Sequence, residues 1–133
     1  VTRELCADRP SEINRISLLR AKFMEQLAPM YGMAQKSSEL FLTGLFSVLD
    51  LILNMPMEEA LKKVNVSKEI IDALVSQKGD LAPVYHLMLC YENADWQEIS
   101  RQMIMMNQSI NELSDIYISS LTWYKDLFFS GNV

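Results

Sequence analysis

The sequence predicts an all-α fold, an irregular bundle of about six or seven helices. Three observations predict it. Only four Gly and four Pro punctuate 133 residues. No segment alternates apolar and polar residues for long, so strands have no pattern to grow from. Apolar residues instead recur at helical spacing from Ile16 onward. Half the residues are apolar and 22% are charged, enough for a real core and against wholesale disorder. No repeat, low-complexity tract or linker divides the chain, so residues 1–133 read as one helical domain.

The elements follow in order. Pro10 suits a first helical turn, where its missing N–H costs nothing. Ile16, Leu19, Phe23, Leu27 and Met30 then fall on one stripe, and Pro29 with Gly32 ends that helix. Ser37 or Ser38 caps a second helix reaching about Asn54. Its polar residues Glu39, Thr43, Ser47, Asp50 and Asn54 form one narrow strip on an otherwise apolar cylinder, which suits the middle of a bundle. Gly44 in that helix permits a close neighbour. Pro56 opens a short helix, Met57 to Val64; Ser67 caps another to about Ser76, with Gly79 as the stop. Asp80 and Pro83 start the next, through Glu92. Asp95 with Glu98, and Ser109 with Glu112, have capping-box spacing and open the last two helices. The final one carries Ile110, Leu113, Tyr117, Leu121, Tyr124 and Phe128 on one side, and residues 130–133 are expected to fray.

Charge and composition exclude several classes. The formal net charge is -5, against a general nucleic-acid or anionic-membrane binder. It divides unevenly, +2 over residues 1–36 and -7 over the remainder, as a solvated surface or as two ends that face different neighbours. The longest apolar run, Leu40 to Leu53, is interrupted by Thr43, Gly44, Ser47 and Asp50, so no membrane insertion is expected. Cys6 and Cys90 form no CxxC pair, and a reducing, cytoplasmic setting is the simpler expectation. The opening Val1-Thr2-Arg3-Glu4 is neither an initiator Met nor a signal peptide, so the chain is expected to be cut from something longer.

Chemistry-bearing patterns are sparse. His86 is the sole histidine; with Cys90 it makes an i, i+4 pair, which reads as two metal ligands or, more simply, as a half-exposed histidine on an amphipathic helix. A nucleophile triad needs a base, for which His86 is the sole imidazole, and nothing near it resembles a nucleophile elbow; four glycines leave no phosphate-cradling loop. No cofactor is expected. Glu58-Glu59 and Asp95 with Glu98 read as helix-start carboxylates. The nine methionines read as core filling or as a pliable recognition surface, and an exposed Trp123-Tyr124 or Phe128-Phe129 would mark a contact. Asp50 stands inside the most apolar helix; it needs a partner, for which Arg20 is the candidate, or a wet groove.

Four strings occur in order: Leu19-Arg20-Ala21-Lys22-Phe23-Met24-Glu25; Phe41-Leu42-Thr43-Gly44-Leu45-Phe46-Ser47-Val48-Leu49-Asp50; Met55-Pro56-Met57-Glu58-Glu59-Ala60-Leu61; and Tyr91-Glu92 with Asp95-Trp96. Together they resemble the C-terminal part of an HD-related output domain (HDOD), of the subgroup fused behind EAL domains in bacterial cyclic-di-GMP signalling proteins. The resemblance implies a degenerate HD-superfamily-like helical fold. In HD hydrolases a metal is held by an early histidine and a later His-Asp pair. Matched through Gly44, the pair falls on Ser47 and Val48 and the earlier histidine near Ile16. A hydroxyl, a valine and an isoleucine hold no divalent metal and activate no water. What the resemblance implies is a non-enzymatic output or scaffold domain that binds protein, either an N-terminal EAL domain of the same polypeptide or a second copy as a homodimer. The alternative is a small-molecule or nucleotide sensor using the degenerate cleft lined by Arg20, Ser47 and Asp50; a residual metal-dependent phosphohydrolase is disfavoured. Neither catalytic nor metal residues are assigned.

Overall fold

The computed structural model describes the backbone of residues 2–129 and the side chains of residues 12–128. All its regular structure is helical. The helices are α1 (Thr2–Leu27), α2 (Ser37–Phe46), α3 (Leu49–Leu53), α4 (Met57–Lys62), α5 (Lys68–Ile71), α6 (Ala82–Glu92), α7 (Trp96–Met106) and α8 (Ile110–Phe129). Each expected helix has a counterpart, with differences in bounds. Residues 130–133 and the side chain of Cys6 lie outside the described part.

Several signals act as the sequence suggests. The Ser67 hydroxyl accepts from the Ile70 amide, Asp95 from Glu98, and Ser109 from Glu112. Other details differ: neither Ser37 nor Ser38 caps α2, whose N-cap is Lys36 with no side-chain hydrogen bond. Helix α1 begins at Thr2, so Pro10 lies within it and not at its first turn. The helix expected from Ser37 to Asn54 breaks at Ser47 and Val48 into α2 and α3. There the Ser47 hydroxyl donates to the Gly44 carbonyl at 2.7 Å, taking the acceptor that a continuing helix would use. Gln77, at φ 53°, turns the chain after a wide turn that extends α5 over Asp72–Ser76, ahead of Gly79. Asp80 stands outside the start of α6 and lies 3.6 Å from Lys36.

The middle of the bundle is α1, not the apolar second segment. Helix α1 packs against α2, α6 and α8 at once, and Ala21, Phe23, Met24 and Leu27 are fully or almost fully buried. The core continues through Leu40, Leu61, Ile70, Leu87, Met88, Ile99 and Leu113. On α2 and α3 the expected sidedness holds only in part: Leu40, Val48 and Leu49 are buried and Asn54 is exposed. Thr43 and Ser47 are buried, with Thr43 donating back to the Glu39 carbonyl, whereas Leu42, Leu51, Ile52 and Leu53 are exposed. Thr43 and Ser47 face inward because α1 comes so close there. A Cβ on Gly44 would stand 2.5 Å from the Arg20 carbonyl oxygen and 2.6 Å from the Ala21 nitrogen. Residues at such a contact must be small or able to satisfy backbone groups, and Ser17 does so by donating to the Leu45 carbonyl at 2.7 Å. Most methionines fill the core or its edge, and Met105 is the outlier at 71% exposed.

Candidate functional site

The close α1–α2 contact sets the site. It fixes the Arg20 backbone against Gly44 and turns the Arg20 side chain towards the start of the α2–α3 break and the end of α6. Arg20 Nε donates to Glu92 Oε2 at 2.9 Å and Nη2 to Glu92 Oε1 at 2.8 Å, a two-pronged pair between residues 72 positions apart. Arg20 Nη1 donates to Ser47 Oγ at 3.1 Å, and that hydroxyl in turn donates a hydrogen bond to the Gly44 carbonyl. Three of the four strings quoted above thus meet at one point, supplying Arg20, Gly44 with Ser47, and Glu92.

The structure brings Arg20 and Ser47 together and corrects the partner expected for Arg20. Its carboxylate is Glu92 and not Asp50. Asp50 is half-buried in the first turn of α3 and forms no ion pair among the described residues. It stays near the site electrostatically: burial, then Asp50 and Glu92, push the Tyr85 phenol up, against the pull of Arg20. The sequence signal for Glu92 was present in the Tyr91-Glu92 string, but nothing in spacing links α6 to α1.

Aromatic side chains of α1, α6, α7 and α8 pack together. Phe23 meets Tyr117 edge-on at 5.2 Å and Tyr91 at 5.4 Å, and Tyr91 meets Tyr117 at 4.9 Å and Trp96 at 5.6 Å. Burial, followed by the Glu92 charge, pushes the Tyr117 phenol up.

The donor set does not fit a divalent cation. Ile16, Ser47 and Val48 supply no imidazole or carboxylate, and the Arg20 guanidinium sets a positive charge beside Ser47. His86 lies 3.6 Å from Cys90 Sγ and 3.6 Å from Glu98 Oε2, on the exposed side of α6, and no group of ligands with metal-holding geometry occurs among the described residues. Glu98 itself is held down to about 2 by hydrogen bonds from Arg101 and Gln102.

A third polar cluster joins the start of α2 to α5. Lys36 Nζ lies 2.6 Å from Glu69 and 3.6 Å from Asp80. Glu39 abuts Glu69; burial, then the Glu69 charge, raises its carboxyl, and its Oε2 is buried with no hydrogen-bond partner.

Comparison with known proteins gives partial matches. The chain is 26% identical to "Cyclic di-GMP phosphodiesterase CdgJ" of Vibrio cholerae serotype O1 over 127 residues, 96% of this chain and 29% of that protein. It is 29% identical to "Uncharacterized protein YuxH" of Bacillus subtilis over 116 residues, 87% of this chain and 28% of that protein. The chain therefore spans under a third of the length of these curated relatives. No protein-family profile matches it, and no solved structure does. Among the described residues no helix is long and apolar enough to cross a membrane.

Proposed function

We propose that the chain is a non-enzymatic output or scaffold domain of the HDOD kind, acting through protein contacts in bacterial cyclic-di-GMP signalling. The observation that carries this reading is how its centre is filled. Where an HD hydrolase would assemble cation ligands, this chain has Ser47, Val48 and the Arg20–Glu92 pair. An arginine held on both prongs by a carboxylate, and by a hydroxyl as well, supports a packing role. The match to a cyclic-di-GMP phosphodiesterase supports the signalling context, and a chain matching 29% of that protein is compatible with a regulatory part of it. The sensor reading takes second place, because a nucleotide phosphate would have to displace Glu92 from Arg20.

The relay we infer is mechanical. Arg20 ties α1 to the end of α6 and, through Ser47, to the α2–α3 break, so a partner that moves any of the three strains the same junction. The test measures cyclic-di-GMP hydrolysis by this chain alone and by CdgJ lacking the matching segment. Hydrolysis by the shortened CdgJ and none by the chain is expected. Hydrolysis by the chain overturns the proposal.

A further inference from the structure

Helix α8 carries a second apolar stripe on its outward side. Ile110, Ile118, Leu121 and Phe128 are 38, 57, 39 and 41% exposed. With Ser114 and Lys125 between them they recur every three or four residues, which keeps all six on one side of a helix. The other side of α8 holds Leu113, Ile116 and Tyr117 against the core, with Ser120 buried beside Gln26. A helix that is apolar on two sides is suited to burial on both.

We propose that a second copy of this chain covers the stripe, the two α8 helices packing antiparallel about a two-fold axis level with Ser119 and Ser120. The charges select this occupant and direction. Lys125 is the one charged residue within the stripe and Asp115 borders it. Neither takes part in an ion pair among the described residues, and they stand ten positions apart, about 15 Å along the helix, so they do not neutralise each other within a chain. Each lies five residues from Ser120. About that axis Asp115 of one copy stands level with Lys125 of the other, twice over by symmetry. Ile118 and Leu121, equally placed about the same level to within a residue, form the reciprocal apolar centre. A parallel pairing would instead set like charges against each other. A 20-residue helix is about 30 Å long, enough for an interface near the roughly 1,000 Å² a specific contact needs.

This deepens the reading of the chain as a contact module by naming its partner, and it rests on that reading. The hydrolysis test above is independent of oligomeric state, so the two fail separately. Sedimentation equilibrium on the full chain is expected to give a dimer with a dissociation constant in the roughly micromolar range. Ile118→Glu is expected to weaken it about thirtyfold while helical content and melting stay unchanged, since that side chain is solvent-facing. Asp115→Lys and Lys125→Asp are each expected to weaken it about fivefold, and the two together to restore it. Residues that far apart on one helix cannot rescue each other within a chain. A monomer at all concentrations, a dimer indifferent to Ile118→Glu, or a double exchange weaker than either single one overturns the proposal.

Discussion

Arg20 and Glu92 close the centre of this bundle: two parallel hydrogen bonds of 2.9 and 2.8 Å join the middle of α1 to the last residue of α6. The pair is partly shielded, with side chains 17 and 30% exposed. Its loss should therefore cost more than a surface pair and less than a fully buried one. Glu92→Gln is expected to destabilise the fold by about 1–2 kcal/mol, read from the urea midpoint. Arg20→Lys should fare little better than Arg20→Ala, because an ammonium cannot make the two-pronged contact and reach Ser47 as well. A wild-type midpoint in Glu92→Gln would remove the pair from the structural account.

Gly44 gives the sharpest steric prediction. A methyl group there meets the backbone of Arg20 and Ala21 at 2.5–2.6 Å, and backbone cannot swing aside as a side chain can. Gly44→Ala gains about 1 kcal/mol in helix propensity but must push α1 and α2 apart, at roughly 2–4 kcal/mol net. Chemical denaturation checks this. An unchanged or stabilised variant would mean that the helices do not approach so closely.

Asp50 separates the two candidate partners of Arg20. Since Glu92 holds the guanidinium, Asp50→Asn is expected to shift stability by less than about 0.5 kcal/mol. A loss of several kcal/mol, measured under the same conditions, would restore the Arg20–Asp50 pairing.

How much of this was legible in the sequence follows local against distant chemistry. Helix starts at Ser67, Asp95 and Ser109 were readable because a cap is a contact within three residues. The close approach at Gly44 was readable because only a residue without a Cβ allows it. The break at Ser47 was not, since apolar periodicity runs through it and a single hydroxyl decides the matter. Nor was the inward turn of Thr43 and Ser47. Periodicity finds a polar face but cannot say that Thr43 and Ser47 will satisfy themselves on their own helix and be buried, leaving Leu51 to solvent. Arg20 and Ser47, which the sequence singles out, meet in one hydrogen bond; Glu92 was missed as the partner of Arg20 because it lies 72 residues away.

Glu39 predicts a pH effect. Burial and the adjacent Glu69 hold its carboxyl above the ordinary value of 4.5 in the folded state. A raised carboxyl adds stability that is fully present below that value and is lost as pH rises through the folded one. Glu39→Gln removes this loss, so its stability relative to wild type should increase from pH 4 towards neutrality, and urea midpoints across roughly pH 4–8 measure it. A relative stability that falls over that range would show Glu39 to be well solvated or well paired.

Arg20 and Glu92 fill the junction of α1, α2 and α6, and no ligand group with metal-holding geometry occurs among the described residues. Manganese binding measures this most directly: the chain is loaded with excess manganese, dialysed, and its metal content determined alongside Arg20→Ala and Ser47→Ala. The account predicts no stoichiometric metal in wild type. One manganese per chain, lost on replacing Ser47, would contradict it.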